Sequence, residues 1–343
     1  MIDPSAIHSV IVRLPNWIGD AVMAIPAVNC IKQHLPHAEV TCLGKKAVNQ
    51  LYKYNHNVDQ LLEFKLPEGK NRLSALKSFS QNLRKHSFDL GLILPDSFSS
   101  ALVFRLGDVR RRVGYRSELR SFMLTDSIRL PADLVHRSEK YIGLVMQAFG
   151  IENCCKDIAV DVSDRERQAA DRFLTVVGRF VVICPTSRAP SRRWGEEKYC
   201  ELIARVHNDL RLSVVLAGSG DESELIEQIG NKAGVPYLNL AQEDDLLLSV
   251  EVMRRAEAFV GNDSGAAHLA ASAGARVVSI SGADDPRETR PLARVGTIVN
   301  KQIHCSPCVK NICPRDDHVN ECMDVIAVGE VVEVVREIMA IEK

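Results

Sequence analysis

The sequence predicts an α/β protein built from two doubly wound, parallel-sheet domains that face each other across a cleft. Three observations predict it. Short, continuously apolar, β-branched runs recur along the chain, which is how parallel strands covered on both faces read. Longer stretches with helical spacing separate them, and this alternation makes right-handed crossover units. The pattern runs twice in 343 residues, about twice the length of a typical single domain.

The strands expected in the first half are residues 8–14 (HSVIVRL), 38–43 (AEVTCL) and 88–94 (FDLGLIL). Residues 20–35 form the first helix, with Val22, Ile25, Ala27, Val28 and Ile31 on one broad side. The first set ends near residues 158–162, and 164–177 reads as a polar-faced helix. Strands then restart at 180–184 (FVVIC), 211–216 (RLSVVL), 258–260 (AFV) and 276–280 (RVVSI). Between them, 196–208 is a helix that buries Tyr199, Leu202, Ile203 and Val206. The expected domains are residues 1–165 and 178–329. A last amphipathic helix, 330–343, packs back through Val331, Val334, Val335 and Ile338.

Composition narrows the function. Hydrophobic residues make up 46% of the chain, enough for sizeable cores, and 43 basic against 44 acidic residues leave a net charge of −1. That balance argues against a nucleic-acid coat. No apolar run reaches membrane-spanning length, and the N-terminus does not read as a cleaved signal. Six of the ten cysteines (Cys30, Cys42, Cys154, Cys155, Cys184 and Cys200) are scattered, mostly among apolar neighbours. They read as reduced core thiols of a cytoplasmic protein.

Ligands of doubly wound sheets sit at the carboxyl ends of the strands. The first such loop, Pro15-Asn16-Trp17-Ile18-Gly19-Asp20, is neither a dinucleotide fingerprint nor a P-loop. Asp20 falls at or near the N-cap of the following helix. Two readings stand: it caps the helix, or it takes a proton from an incoming hydroxyl. Three loops of the second half carry groups suited to a phosphorylated ligand. The first holds Thr186, Ser187, Arg188, Arg192 and Arg193, whose guanidinium forks match phosphate oxygens. The second offers Gly218 and Gly220 for close approach and Glu222 for sugar hydroxyls. The third runs through Asp263, Ser264, Gly265 and His268, with Asp263 or Ser264 as helix cap and exposed amides as an anion site. His268 reads either as a ligand contact or as a satisfied helix-start histidine. The loop over 281–291, with Asp284, Asp285 and Thr289, lies at the same sheet edge. This asymmetry assigns a nucleotide-linked donor to the second domain and an acceptor to the first.

The stretches RLPNWIGDAVMAIPAV (13–28), LPDSFSSALVFRLGDVRRRVGY (94–115), RRWGEEKY (192–199), GNDSGAAHLAASAG (261–274), SGADDPRET (281–289) and CSPCVKNICP (305–314) carry a resemblance. Over nearly the whole chain, the sequence resembles the ADP-heptose:lipopolysaccharide heptosyltransferases, glycosyltransferase family 9. The first loop and the cysteine segment are more like heptosyltransferase II than heptosyltransferase I. The resemblance implies the GT-B fold and an inverting transfer of L-glycero-D-manno-heptose from ADP-heptose to the lipopolysaccharide inner core. It implies Asp20 as the catalytic base and puts Arg192 where the family usually has a phosphate-binding Lys. Asp263, Ser264, Gly265 and His268 match its nucleotide-phosphate loop, and Glu222 the acidic residue near the nucleoside sugar. Two departures stand out: Gly195 replaces a common Pro, loosening that turn, and Ala283 interrupts a G-P-x-D-P pattern. The alternatives are a related glycosyltransferase with another donor or acceptor, and a non-catalytic nucleotide-sugar or anionic-glycan binding protein.

No metal or other cofactor is expected to be required for catalysis, since protein cations and amides can stabilise a pyrophosphate leaving group. Arg105, Arg110, Arg111, Arg112, Arg116 and Arg120 form a basic band, read either as a solvated face or as the approach for an anionic, lipid-linked acceptor of the lipid A–Kdo–heptose type. The second reading makes the protein cytoplasmic and transiently peripheral on the inner face of the inner membrane. Cys305, Cys308, Cys313 and Cys322, spaced C-x2-C-x4-C-x8-C, leave three states open: structural zinc or iron–sulfur, free thiols, or disulfides.

Overall fold

The computed structural model describes residues 2–65, 72–117, 119–133 and 135–341. The chain divides into two units, one up to Asp161 and one from Val162. In chain order the first holds β1 (Ser9–Arg13), α1 (Ile18–His34), β2 (Glu39–Gly44), α2 (Lys46–Gln50), β3 (Gln60–Glu63) and α3 (Arg72–Leu83). It continues with β4 (Leu90–Ile93), α4 (Phe98–Leu106), β5 (Arg111–Tyr115), β6 (Asp126–Ile128) and α5 (Arg137–Phe149). The second holds α6 (Asp164–Phe173), β7 (Phe180–Cys184), α7 (Glu196–Leu210), β8 (Ser213–Leu216), α8 (Ser223–Ala233), β9 (Tyr237–Asn239) and α9 (Leu246–Arg255). It ends with β10 (Ala258–Asn262), α10 (Gly265–Ser272), β11 (Val277–Ile280), α11 (Pro286–Thr289), β12 (Gly296–Val299), α12 (Glu321–Asp324) and α13 (Val328–Ala340).

Each unit is a six-stranded sheet. The orders are β3-β2-β1-β4-β5-β6 and β12-β11-β10-β7-β8-β9, and every pairing is parallel. Both have the doubly wound order, in which strand sequence reverses between the first and fourth strands of the unit. The reversal falls between β1 and β4 in one sheet and between β7 and β10 in the other. Val10, Ile11 and Val12 of β1 and Val181, Val182 and Ile183 of β7 are fully buried, which explains why their runs are continuously apolar. α13 covers its own sheet with Val331, Val332, Val335 and Ile338. The last two residues of the helix expected there lie outside the described residues.

Several expectations need correction. β3, β5, β6, β9 and β12 escape the sequence pattern because they are short and carry polar or charged residues, such as RRVGY in β5 and DSI in β6. Two of the scattered cysteines are not free: Cys30 of α1 is disulfide-bonded to Cys154, with Cα atoms 5.5 Å apart. Cys42, Cys184 and Cys200 are buried thiols and Cys155 is exposed. No described helix is long and apolar enough to cross a membrane.

Candidate active site

In the first unit, Arg13 shapes the turn that leads to Asp20. It is fully buried at the end of β1 and donates to the carbonyls of Leu14 and Leu43 and, at 2.7 Å, to Asn16 Oδ1. Burial lowers its pKa to about 10, and its guanidinium lies 4.1 Å from the centre of the Phe64 ring. The chain leaves this turn through Trp17, which is the N-cap of α1 and 65% exposed. Asp20 is therefore the third residue of the helix, not its cap, and its carboxylate is released from the capping role. Oδ1 instead accepts a hydrogen bond from Arg137 Nη1 at 2.8 Å. The Asp20 side chain retains 12% of its exposure and that of Arg137 39%. Arg137 opens α5 after His136, whose Nδ1 accepts from the Ser138 amide as helix cap. Burial raises the Tyr141 phenol well above its usual pKa, and the negative charge of Asp20 raises it further.

In the second unit, the loops after β7 and β10 meet at the strand-order reversal. Asn262, the last residue of β10, is fully buried and holds them together. Its Nδ2 donates to the carbonyls of Pro185 (3.1 Å) and Thr186 (3.2 Å), and its Oδ1 accepts from the Trp194 amide at 3.1 Å. Trp194 is itself buried, edge-on to Tyr199, and its indole donates to the Ile326 carbonyl. Thr186 and Ser187 are buried in the loop. Arg193 Nε donates to the Ser187 carbonyl at 2.9 Å, so it braces the loop. Arg188 reaches Asp221 at 2.9 Å on the exposed rim. Arg192 ends the turn Pro190–Arg192 and pairs through Nε with Asp284 Oδ2 at 2.6 Å. Asp284 is almost wholly buried, so one edge of the guanidinium is anchored while the side chain keeps part of its exposure.

The third loop departs from the capping expectation. Ser264 occupies the N-cap of α10, yet its side chain makes no capping hydrogen bond. The Ser264 hydroxyl is buried with no hydrogen-bond partner among the described residues. An orphaned hydroxyl beside helix-end amides is the kind of donor set that a ligand oxygen completes. Asp263 is buried and accepts from Ser281 Oγ at 3.3 Å. Gly265 opens α10, and His268 is buried one turn in. Glu222 is engaged in a capping box, accepting from the Ser219 amide (3.0 Å) and hydroxyl (2.6 Å). A Cβ built on Gly218 would lie 2.3 Å from Ile226 Cδ1, so the glycine leaves room for that side chain of α8. Asp285 caps α11 and pairs with Arg287.

The basic band is not a single face. Arg105, Arg110 and Arg116 are exposed, but Arg111 pairs with Asp126 across β5 and β6 at 2.5 Å. Arg120 is fully buried and donates to the carbonyls of Tyr115, Pro95 and Ser97. Those bonds fix the segment after β4. Sequence reasoning also missed Arg137, which no motif marks, and Asn262, whose bonds span three stretches of chain. Gly195, read as a loosening, has φ of +103°, a backbone that proline cannot adopt.

The four C-terminal cysteines are free thiols that line one cavity. Among the described residues, no group of three or more His, Cys, Asp or Glu side chains is placed to hold a metal ion.

Two parallel doubly wound units, each with its ligand-facing loops at the carboxyl ends of its strands, make a GT-B-like fold. The model of glycosyltransferase family 9 (heptosyltransferase) matches residues 76–318, and the chain belongs to that family. The lipopolysaccharide heptosyltransferase 2 of Salmonella typhimurium is 26% identical over 300 residues, covering 83% of this chain and 86% of its own length. The solved Escherichia coli ADP-heptose lps heptosyltransferase II superposes with a TM-score of 0.80 at 23% identity, covering 96% of this chain and 98% of that one. A family 9 glycosyltransferase from Veillonella parvula gives a TM-score of 0.83 at 17% identity, covering 97% of each chain.

Proposed function

We propose that this glycosyltransferase moves L-glycero-D-manno-heptose from ADP-heptose to the inner core of lipopolysaccharide, as a heptosyltransferase of type II, with inversion at the anomeric carbon. The first unit holds the acceptor and the second the donor. Asp20 accepts the proton of the attacking hydroxyl, and the new glycosidic bond forms as the bond to ADP breaks. The leaving diphosphate gains negative charge in that step. Arg192 and the amide and hydroxyl groups around Ser264, Gly265 and His268 stabilise the charge more in the transition state than in the ground state. Thr186, Ser187, Arg188, Arg193, Asp263 and Glu222 frame the nucleotide. A single base opposite a single leaving group gives one displacement and therefore inversion, as in inverting glycosidases.

The observation that carries this reading is the Asp20–Arg137 pair. A carboxylate freed from capping and held at 2.8 Å by a partly exposed guanidinium is oriented as a general base must be. The exposed Arg105, Arg110 and Arg116 suit an anionic acceptor on a lipid anchor, reached from the cytoplasm at the inner membrane.

The test is D20N in a transfer assay with a short inner-core acceptor and a panel of nucleotide sugars, with product mass as readout. Transfer from ADP-heptose should fall by about 100- to 10,000-fold, the usual range for a general base, while ADP still binds. Full-rate transfer by D20N would remove Asp20 from the mechanism. Activity with another nucleotide sugar and none with ADP-heptose would replace the donor.

A further inference from the structure

The loop between β1 and α1 presents a large aromatic ring that its own unit does not bury. Trp17 is 65% exposed, and its side chain makes no cap bond to α1. Only its carbonyl serves the helix, accepting from the Ala21 amide at 2.9 Å, a service any residue's backbone gives.

The backbone beneath the ring is nonetheless firmly held. Arg13 donates to the Leu14 and Leu43 carbonyls and to Asn16 Oδ1, and the Leu14 amide donates to the Leu43 carbonyl at 3.0 Å. These bonds tie the loop after β1 to the end of β2. Gly44 closes β2 in tight quarters, since a Cβ there would lie 2.5 Å from Asn49 Oδ1 and 3.2 Å from Leu14 Cδ1. The next residue, Lys45, is exposed, and its Nζ lies 5.9 Å from the centre of the Trp17 ring. That is the outer limit of a cation–π contact, and at an exposed site such a contact is weak. Single exposed apolar residues are ordinary. Here rigid support, an adjacent cation and a place on the crossover loop that carries Asp20 coincide.

The chemistry of this pair selects its ligand. The face of an aromatic ring is negative and attracts the weakly positive C–H bonds on one side of a sugar. An ammonium takes an anionic substituent as a point charge, with three donors that turn to meet it. A neutral apolar ligand would leave Lys45 unused, and a bare anion would leave the indole unused. We propose that Trp17 and Lys45 form a subsite for the acceptor, in which the indole stacks on a sugar ring and Lys45 pairs with a carboxylate or phosphate that the sugar carries. The inference rests on the proposed transfer reaction, which puts the acceptor in the first unit. Both residues bind the acceptor and position its hydroxyl for Asp20; neither takes a proton from it.

The protein carries its own probe. It has two tryptophans, and the other, Trp194, is fully buried. Emission from an exposed indole therefore reports on Trp17. The short inner-core acceptor, added without donor to the wild type and to D20N, should quench that emission and shield it from iodide, and W17F should lose the response. The wild-type measurement needs no variant to fold. In steady-state kinetics W17A should raise the acceptor KM about 5- to 10-fold, the equivalent of one aromatic contact, with kcat and donor KM near those of the wild type. Methyl esterification of the acceptor's carboxylates and phosphatase treatment are separate arms. The arm that weakens binding to the wild type but not to K45Q identifies the anion at Lys45, and if neither does, Lys45 leaves the subsite. No acceptor-dependent change in Trp17 emission, or an unchanged acceptor KM in W17A, overturns the proposal. If D20N transfers at full rate while the quench persists, the subsite stands and the role of Asp20 falls. If D20N is inactive and the quench is absent, the role of Asp20 stands and the subsite falls.

Discussion

Asp20 owes its availability to its neighbours. Had it been the N-cap of α1, its carboxylate would be satisfied by helix amides. Trp17 holds that place, and Arg137 takes the carboxylate instead. A charge-assisted hydrogen bond of this kind is worth about 1.5–3 kcal/mol, and here it also fixes the direction of the lone pairs. R137A should therefore lower kcat by roughly 10- to 100-fold, the equivalent of that energy. The donor KM should stay close to that of the wild type, because Arg137 belongs to the other unit from the donor loops. Steady-state kinetics with ADP-heptose measures both. A loss confined to donor KM would contradict the orienting role. Asp20 itself was legible in the sequence as one of two readings; Arg137 was not, because it lies 117 residues away and only folding brings it to the carboxylate.

At the scale of elements, the donor loops are ordered by the end of one strand. Asn262 closes β10 and satisfies two carbonyls and one amide of the loop that follows β7. N262A leaves those buried groups unpaired, at a cost of about 1–3 kcal/mol for each one that stays unsatisfied. The melting temperature should fall and ADP affinity with it, as calorimetry would show. N262D keeps the acceptor for the Trp194 amide but cannot donate to the carbonyls, so it should rescue little. Unchanged ADP affinity in folded N262A would separate loop order from nucleotide binding. Gly195 is the second fixed point. Its φ of +103° starts α7, and G195P should destabilise the protein despite the prolines common at that place in the family. The strand ends and the helices were readable from apolar periodicity. The loops were readable only as composition, since their order comes from bonds to residues distant in the chain.

At the scale of the whole molecule, carboxylate pairs near both sides of the first sheet couple stability to acid. On the β5–β6 side, the hydrogen bond from Arg111 holds the Asp126 carboxyl below its usual pKa, against some burial, with Thr125 helping. On the β2–β3 side, burial alone would raise the Asp59 carboxyl, but bonds from Lys32 and the Val40 amide outweigh it and lower it. A carboxyl with a lowered folded-state pKa stabilises the fold above its unfolded value, near pH 4. That contribution is lost as pH falls through the lower, folded value. Urea unfolding between pH 5 and pH 3 should show the midpoint dropping, and D126N should flatten the dependence. An equal slope in D126N would remove the pair from the acid response.

The sequence by itself determined the two parallel doubly wound sheets, their central strands, the positions of the crossover loops and the family. These depend on local periodicity and on short motifs that survive without knowledge of neighbours. Only the tertiary structure decided that Arg120 is buried scaffolding rather than part of a surface band, and that Cys30 meets Cys154. It also decided that Arg192 leans on Asp284, and that four cysteines line one cavity together with Ser191 of the turn that carries Arg192. Each of these is a contact between segments far apart in the chain, and no residue's own type records which distant partner folding will bring to it.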